Sequence, residues 1–380
     1  MKRHFLRQTP FIQFLVVACF FLSGFTVERS PISQDTLNPT SPPPAASSNK
    51  NVYLPVIYNP TPPSVLLGII PSGYFGPDAN GQASLDRLVK GADTWANKKH
   101  SLVGIFVDLQ DVNPEYNFKG QLETLWKNGY TPFVNLNSTK TASQIAGGSI
   151  DSNIHTIAKA YAAWANQGAG RKAFLTPLQE MNGYWTSYGK DPANYKIAYD
   201  RIRQIFAQEG APASSIWWTF APNGWSQPGH EFENYYPGAN KVDAVSFSSY
   251  NYGFCSVAIP WQKWESASEL YDPYLNRMRL MAPGKPIIIA QTGSTAQSPS
   301  TGHIDRSRKN SWIEGTYSYL AGQYNVLAVM YYDMDLSWEC DWAMFNTGQP
   351  FESYPVAAAN SAFKYLSPRE LSGMDLSAGQ

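Results

Sequence analysis

Eight short apolar runs recur along the chain, and turn-forming residues follow each of them. They occupy residues 66–70, 102–109, 132–136, 174–178, 216–221, 244–249, 286–290 and 326–332. The runs are apolar throughout rather than alternating with polar residues, which is typical of parallel strands covered on both faces. The sequence therefore predicts eight buried parallel strands.

Most segments between these runs have the 3.6-residue period of amphipathic helices. One apolar stripe begins after Ser84, a second spans residues 154–165, and a third opens with Asp191-Pro192, a cap followed by proline. Further helices are expected at about 267–281, 305–323 and 355–365, whereas the segment after the fifth run is mostly loop. Strands and helices that alternate in this way predict an α/β fold, a single (β/α)8 TIM barrel over residues 65–370.

The first 30 residues have the pattern of a signal peptide or an N-terminal anchor. Lys2, Arg3 and Arg7 precede an apolar run at residues 11–25 that is too short for a comfortable membrane span. Cys19 lies in a segment that resembles a lipoprotein cleavage box, so lipidation is an alternative to simple secretion. Residues 31–64 are rich in Pro, Ser, Thr and Asn and predict a solvated linker. We expect a protein that is secreted or tethered to the cell surface.

The charge balance and the histidine positions argue against several classes of function. Lys+Arg and Asp+Glu both number 29, so nothing indicates binding to nucleic acid, or to a membrane beyond a possible N-terminal anchor. The five histidines are scattered, and the sequence has neither metal-ligand spacing nor a glycine-rich phosphate loop. We expect no metal and no cofactor. We also expect a monomer.

A carboxylate stands where the fourth predicted strand ends. Residues 177–185 read Pro-Leu-Gln-Glu-Met-Asn-Gly-Tyr-Trp, which places Glu180 beside amides and aromatic rings. In a TIM barrel the carboxyl ends of the strands carry the chemistry. A carboxylic acid at that position can donate a proton to a glycosidic oxygen. The alternative is a glutamate that caps a loop or forms a salt bridge in it.

The same segment resembles glycoside hydrolase family 26, the family of β-mannanases with some mixed-linkage β-glucanases and xylanases. Those enzymes carry a His-Glu-Met-Asn-Gly motif followed by Trp, and residues 180–183 and Trp185 match it, while Gln179 replaces the histidine. The resemblance continues at residues 218–223, 242–245, 250–251 and 341–342. It implies a retaining endo-β-1,4-mannanase type of hydrolase that acts on a β-linked polysaccharide or oligosaccharide, with Glu180 as the acid/base.

The resemblance breaks at residue 291, at the end of the seventh run. The family has a glutamate nucleophile there, and this chain has Gln291. A neutral amide is a poor nucleophile, and losing one member of a catalytic pair commonly costs on the order of 10³-fold in rate. Three interpretations remain open. The chain is a glycan-binding relative without hydrolysis, or an engineered nucleophile variant, or another group such as Asp333, Asp335 or a substrate acetamido group replaces the nucleophile.

Aromatic and amide side chains near the predicted mouth are candidates for sugar binding, although each ring can instead belong to the core. The candidate substrate-binding residues are Gln179, Asn182, Trp185, Asn223, Trp225, Tyr250, Trp338 and Trp342. We expect Glu180 and Gln291 to face each other with their side-chain heads roughly 5 Å apart. Cys255 and Cys340 follow the sixth and eighth predicted strands, whose loops lie at one face of the barrel, so they either pair as a disulfide or remain two buried thiols.

Overall fold

The computed structural model describes residues 64–253, 255, 263–298, 303–336 and 340–376. The predicted signal segment, the linker as far as residue 63, and Trp338 lie outside the described residues. Within the described part, eight parallel strands close into a barrel because the last strand pairs with the first. They are β1 (Val65–Pro71), β2 (Leu102–Asp108), β3 (Thr131–Asn137), β4 (Ala173–Pro177), β5 (Ile216–Phe220), β6 (Ala244–Asn251), β7 (Ile287–Ser294) and β8 (Val326–Asp333). The predicted TIM barrel is confirmed.

Alternation along each strand divides the apolar side chains between two layers. In β1, Leu66 and Ile70 pack in one cluster with Phe133 and Phe174, and this cluster fills the barrel interior. The residues between them pack in a larger cluster with apolar side chains of the surrounding helices. Successive strand residues point to opposite faces, so continuous apolar runs fill both layers at once.

Helices occupy the connections between strands. In the described residues they are α1 (Ala79–Leu85), α2 (Gly91–Ala96), α3 (Gly120–Lys127), α4 (Ala142–Ala146), α5 (Asp151–Ala165), α6 (Pro192–Gln208), α7 (Ala267–Met281), α8 (Arg306–Ala321), α9 (Ser353–Ala358) and α10 (Pro368–Ser372). A π-helical turn, Asp86–Lys90, joins α1 to α2, and a second, Glu115–Lys119, leads into α3. As expected, the connection after β5 is mainly loop, with 3-10 turns at Ala213–Ser215 before β5 and Phe232–Tyr235 after it. No helix among the described residues is both long enough and apolar enough to cross a bilayer.

Two sequence predictions about element ends need correction. The helix expected at 355–365 ends early, because Asn360 turns the chain and Phe363 is buried in a short strand, Phe363–Lys364, beside β1. The sixth and seventh strands are longer than expected, because their pairing continues to Asn251 and Ser294. Tyr250 and Gln291 therefore lie within strands, where their neighbours hold them more firmly than a loop would.

The loops after β6 and β8 are covalently joined. Cys255 and Cys340 form a disulfide with their Cα atoms 5.7 Å apart, which confirms the pairing alternative. The two cysteines pack with Trp342 in a small buried cluster of their own. Since β6, β7 and β8 are neighbours, this link spans the carboxyl end of β7.

Candidate active site

The turn after β4 has an unusual backbone. Leu178 and Glu180 both adopt left-handed conformations, with φ of 56° and 54°, although neither is glycine. The Leu178 N–H donates to the Leu136 carbonyl and the Glu180 N–H donates to the Ala221 carbonyl, each at 2.7 Å. Such conformations cost free energy and persist where surrounding structure imposes them, often at functional sites. The carboxyl end of β3 and the residue after β5 thus fix the backbone that carries Glu180.

Two neutral donors orient the Glu180 carboxylate. Trp185 Nε1–H donates to its Oε2 at 2.9 Å, and Asn223 Nδ2–H donates to its Oε1 at 3.0 Å. Tyr188, a buried residue that sequence reasoning missed, donates its hydroxyl to the Gln179 carbonyl at 2.9 Å. Burial, and then the Glu180 charge, raises the pKa of Tyr188 well above its usual value, so it remains a neutral donor. Glu180 is thereby held in place without a cationic partner in these contacts.

Asn182 is buried, with 1% of its surface exposed, and its amide is occupied within the protein. Its Nδ2 donates to the carbonyls of Asn223 and Trp225, and its Oδ1 accepts from the Asn223 N–H at 2.9 Å. These contacts make Asn182 a positioning residue for the loop after β5, whereas the sequence analysis places it among the substrate-binding residues. The loop in turn presents the Asn223 amide to Glu180.

Three aromatic rings gather beside Glu180. Trp185 and Trp225 are stacked with their ring centroids 6.3 Å apart, and Tyr184 meets both edge-on. Trp225 is 41% exposed, and Tyr184 is exposed as well. Exposed flat rings next to an oriented carboxylate form a surface on which a sugar ring can stack. Tyr184 is an addition to the predicted platform; its place inside the motif was the signal that sequence reasoning did not use.

Gln291 is almost completely buried on β7 and is held from two sides. The Tyr250 hydroxyl donates to its Oε1 at 2.7 Å, and its Nε2 donates to Gln179 Oε1 at 2.6 Å. Gln179 precedes Glu180, so this bond brings the end of β4 and the side chain of β7 together at one mouth of the barrel. Gln179 and Gln291, 112 residues apart in sequence, are thus hydrogen-bonded to each other.

The ring of Trp342 lies beneath this pair rather than on the surface. It is 2% exposed and packs against Tyr250 and Tyr252, with centroid distances of 4.9 and 5.0 Å. Its burial favours a supporting role, in contrast to the sugar platform expected from the sequence. Tyr250, which is half-buried, stands between Trp342 and Gln291 and transmits that support.

Asp333, a candidate replacement nucleophile, is fully buried and anchors a loop. Its carboxylate accepts the backbone N–H groups of Met344, Phe345 and Asn346 at 2.6 to 3.2 Å. Asp335 is exposed on a short antiparallel ribbon, Asp335–Leu336 with Cys340–Asp341. Hydrogen bonds from three amides leave the Asp333 carboxylate committed to the backbone, which argues against its acting as a nucleophile.

A buried lysine holds the other end of the same loop. Lys309 Nζ donates to the carbonyls of Trp342 and Ala343 at 3.2 and 2.7 Å. Burial lowers the pKa of Lys309 to about 8, and nearby carboxylates such as Asp341 oppose that shift. The loop that carries Trp342 is therefore fixed by an ammonium on its carbonyls and by the Asp333 carboxylate on its amides.

No protein-family model matches the sequence. The chain is 28% identical to endoglucanase H of Acetivibrio thermocellus over 229 residues, which are 56% of this chain and 22% of that protein. It is 25% identical to a mannan endo-1,4-beta-mannosidase of Bacillus subtilis over 270 residues, 60% of this chain and 71% of the relative. The chain thus spans about a fifth of the first relative and about two thirds of the second.

Solved structures resemble the barrel as well. A GH26 beta-mannanase from Bacteroides ovatus superposes with a TM-score of 0.58 at 13% identity, covering 82% of this chain and 92% of that chain. A Cellulomonas fimi endo-beta-1,4-mannanase double mutant gives 0.56 at 13% identity, covering 81% and 74%. The chain is mannanase-like. Structural likeness at this identity establishes the fold, and the sequence relatives add the resemblance to glycoside hydrolases.

One strand-end carboxylate of this mannanase-like barrel was missed from the sequence. Asp108 ends β2, and burial raises its pKa while a hydrogen bond from the Gln110 N–H opposes the shift. The acidic residue just before the end of the run at 102–109 was a usable signal. Nearby in the loops after β1 and β2, Tyr74 and Tyr116 stack at 6.0 Å. Among the described residues, no group of three His, Cys, Asp or Glu side chains is arranged to hold a metal ion.

Proposed function

We propose that the protein binds a β-linked polysaccharide across the mouth of the barrel, with mannan as the preferred ligand. We also propose that Glu180 is the acid/base of a mannanase-type hydrolase. The observation that carries this proposal is the Glu180 carboxylate, oriented by Trp185 and Asn223 beside an exposed aromatic platform. The mannosidase and endoglucanase relatives support a β-glycan as the substrate.

The proposed chemistry begins with proton transfer from Glu180 to the glycosidic oxygen as the bond to the anomeric carbon breaks. The leaving sugar takes that proton, and positive charge develops on the ring that remains. In a retaining hydrolase a carboxylate bonds to this centre, and water then displaces that carboxylate and returns a proton to the acid/base. The Gln291 amide carries no charge with which to stabilise the centre. We therefore expect cleavage by this chain to be slow.

A second candidate function is glycan binding without hydrolysis. The Gln291–Gln179 hydrogen bond favours it, because two neutral amides satisfy each other at the place where hydrolysis requires a charge. The stacked rings next to Glu180 serve binding in either case.

Mannan incubated with wild-type protein and with Glu180→Gln separates the two functions. For a hydrolase, wild type releases reducing ends faster than the variant, while both bind mannooligosaccharides with similar affinity in calorimetry. For a binding protein, both bind and neither releases reducing ends. Failure of the wild type to bind any β-linked glycan of a panel that includes mannan, glucan and xylan contradicts both.

We further propose that the protein works outside the cytoplasm. The basic and apolar N-terminal segment supports export, and so does the disulfide between Cys255 and Cys340, since disulfides persist in oxidising compartments. Cell fractionation, with thiol titration of the denatured, unreduced protein, tests this location.

A further inference from the structure

A second concavity lies next to the aromatic platform and does not include Glu180. It has a volume of about 540 Å³, is open to solvent, and is lined by the loop after β5 and by helix α7. Its main lining side chains are Trp225, Glu231, Glu233, Asn234, Tyr274 and Arg277. Trp225 therefore belongs to both regions: it lines this pocket and stacks on Trp185, which donates to Glu180.

Arg277 and Tyr274, two of the residues that line the pocket, are held in place by neighbouring side chains and backbone. Arg277 forms a bidentate pair with Glu233, at 2.7 and 2.6 Å, and its guanidinium lies 3.9 Å from the centroid of the Phe232 ring. Gly224 allows Tyr274 to approach the loop, because a Cβ at residue 224 would lie 2.7 Å from the tyrosine ring. A bidentate arginine on an aromatic ring holds its position better than a free surface side chain does.

The polar groups of the pocket suit hydroxyl groups and disfavour anions. Backbone hydrogen bonds, including one from the Gly229 N–H, lower the pKa of Glu231. Burial raises the pKa of Glu233, but the hydrogen bonds from Arg277 and the backbone outweigh it and lower the pKa overall. Both carboxylates are therefore ionised at neutral pH beside one guanidinium. Ionised carboxylates accept hydrogen bonds from sugar hydroxyls and repel uronic acids.

We propose that this pocket binds a neutral hexose that branches from the polysaccharide backbone lying in the barrel mouth. The inference rests on the proposed function, because it requires a β-linked backbone beside Glu180. Tyr274 and Arg277 belong to α7, in the helix layer outside the strands. A backbone that crosses the strand ends lies over the barrel axis, whereas a side group directed past Trp225 points toward α7. The branch is recognised by Trp225 and by the polar atoms of Glu231 and Asn234.

The test compares two ligands, unbranched mannopentaose and mannopentaose with one galactosyl branch, by calorimetry on the full-length protein. Glu231→Gln removes one charged acceptor and keeps the side-chain size, and Asn234→Ala removes an exposed amide. A hydrogen bond to a charged acceptor is stronger than one to a neutral amide, so Glu231→Gln should weaken binding of the branched ligand about tenfold. Asn234→Ala removes a neutral group and should weaken it about fivefold. Binding of the unbranched ligand should change by less than about twofold. Glu314→Gln, an exposed position on α8, is the matched control and should leave both affinities unchanged.

The outcomes separate this inference from the proposed function. If wild-type protein binds neither ligand, the proposed function fails and the branch pocket fails with it. If it binds both and the two variants weaken both equally, the pocket holds the backbone, and the branch assignment is wrong. A mannopentaose with a glucuronyl branch adds a test of charge: it should bind wild type more weakly than the galactosyl ligand and bind Glu231→Gln more strongly than wild type. Tighter binding of the acidic branch by wild type would overturn the assignment of a neutral hexose.

Discussion

On the side of the mouth formed by β4 and β5, a carboxylate is held by two neutral donors. On the side formed by β6 and β7, the Gln291 amide bonds to a hydroxyl and to a second amide. Glu180 keeps a carboxyl group that Trp185 and Asn223 orient. Gln291 has hydrogen-bonding partners on both its oxygen and its nitrogen and carries no charge. In the first region a carboxyl group is oriented. In the second, the side chains that bond to each other are uncharged.

This difference teaches that Gln179 and Gln291 act as a pair. Gln179 and Gln291 are 112 residues apart in sequence and 2.6 Å apart at their side-chain atoms. An amide at either position finds its complement in the amide at the other, because each amide has both a donor and an acceptor. The two amides are therefore complementary. A carboxylate at residue 291 would change their hydrogen bond as well as add a charge.

The largest expected effect comes from introducing a carboxylate at residue 291. We predict that Gln291→Glu increases cleavage of mannan or β-glucan by at least about a hundredfold. The new carboxylate would stabilise the positive charge that develops at the anomeric carbon. Reducing-end assays of both forms on a panel of β-linked polysaccharides, at several pH values, measure the change.

Gln291→Ala serves as the control, since it removes the amide without adding charge. Equal rates for wild type and Gln291→Glu would mean that residue 291 does not act as the nucleophile or that another group does this work. Absence of activity in both forms, together with intact binding, would favour the glycan-binding function.

The next effect comes from the buried Lys309, and it is an effect on stability rather than on rate. The pKa of Lys309 is lowered from 10.5 to about 8 by burial, so between these values the unfolded chain binds a proton that the folded protein has released. The free energy of unfolding should therefore rise with pH through this window, by up to about 3 kcal/mol from this residue. Lys309→Met removes the titrating group.

Urea titrations of wild type and Lys309→Met at pH values from 7 to 10.5 check this prediction. The stability of wild type minus that of the variant should increase with pH, because the contributions of all other groups cancel. Parallel profiles for the two proteins would show that Lys309 titrates with its ordinary pKa.

A smaller effect should reveal the coupling between the two glutamines. We predict that Gln179→His raises the activity of the Gln291→Glu protein about tenfold, since an imidazole can give a charge-assisted hydrogen bond to the new carboxylate. In the Gln291 background the same change should give no gain. A double-mutant cycle on kcat/KM measures the coupling, and additive effects would mean that the two positions act independently.

The smallest expected effect concerns the hydrogen bond from Trp185 to Glu180. Trp185→Phe keeps an aromatic ring and removes the N–H that donates to Glu180. We predict about a fivefold loss of kcat in the Gln291→Glu background, in line with one net hydrogen bond of about 1 kcal/mol. Trp225→Phe is the matched control, because the Trp225 ring is in the same stack and its contacts in the described residues do not include Glu180. Equal losses in kcat for the two variants would assign the effect to stacking.

The sequence predicted the barrel well because continuous apolar runs leave few alternatives once both strand faces must be buried. It placed Gln291 at a strand end, whereas the seventh strand continues to Ser294. It did not distinguish the rings that face solvent from those that support the site, so Trp225 and Trp342 were given one role although only Trp225 is exposed. It treated Asn182 as a ligand contact because the loop that its amide holds is distant in sequence. These distinctions depend on tertiary packing, which periodicity does not report.

The left-handed backbone at Leu178 and Glu180 bears on how such a site changes over evolutionary time. Its shape is set by hydrogen bonds from main-chain N–H groups to Leu136 and Ala221, none of which uses the side chain of residue 179. Mutations at that side chain can therefore accumulate without moving Glu180 beside it. A chemical activity held on such a backbone can be lost through a few side-chain substitutions and regained through the same few, because the scaffold that aims Glu180 persists throughout.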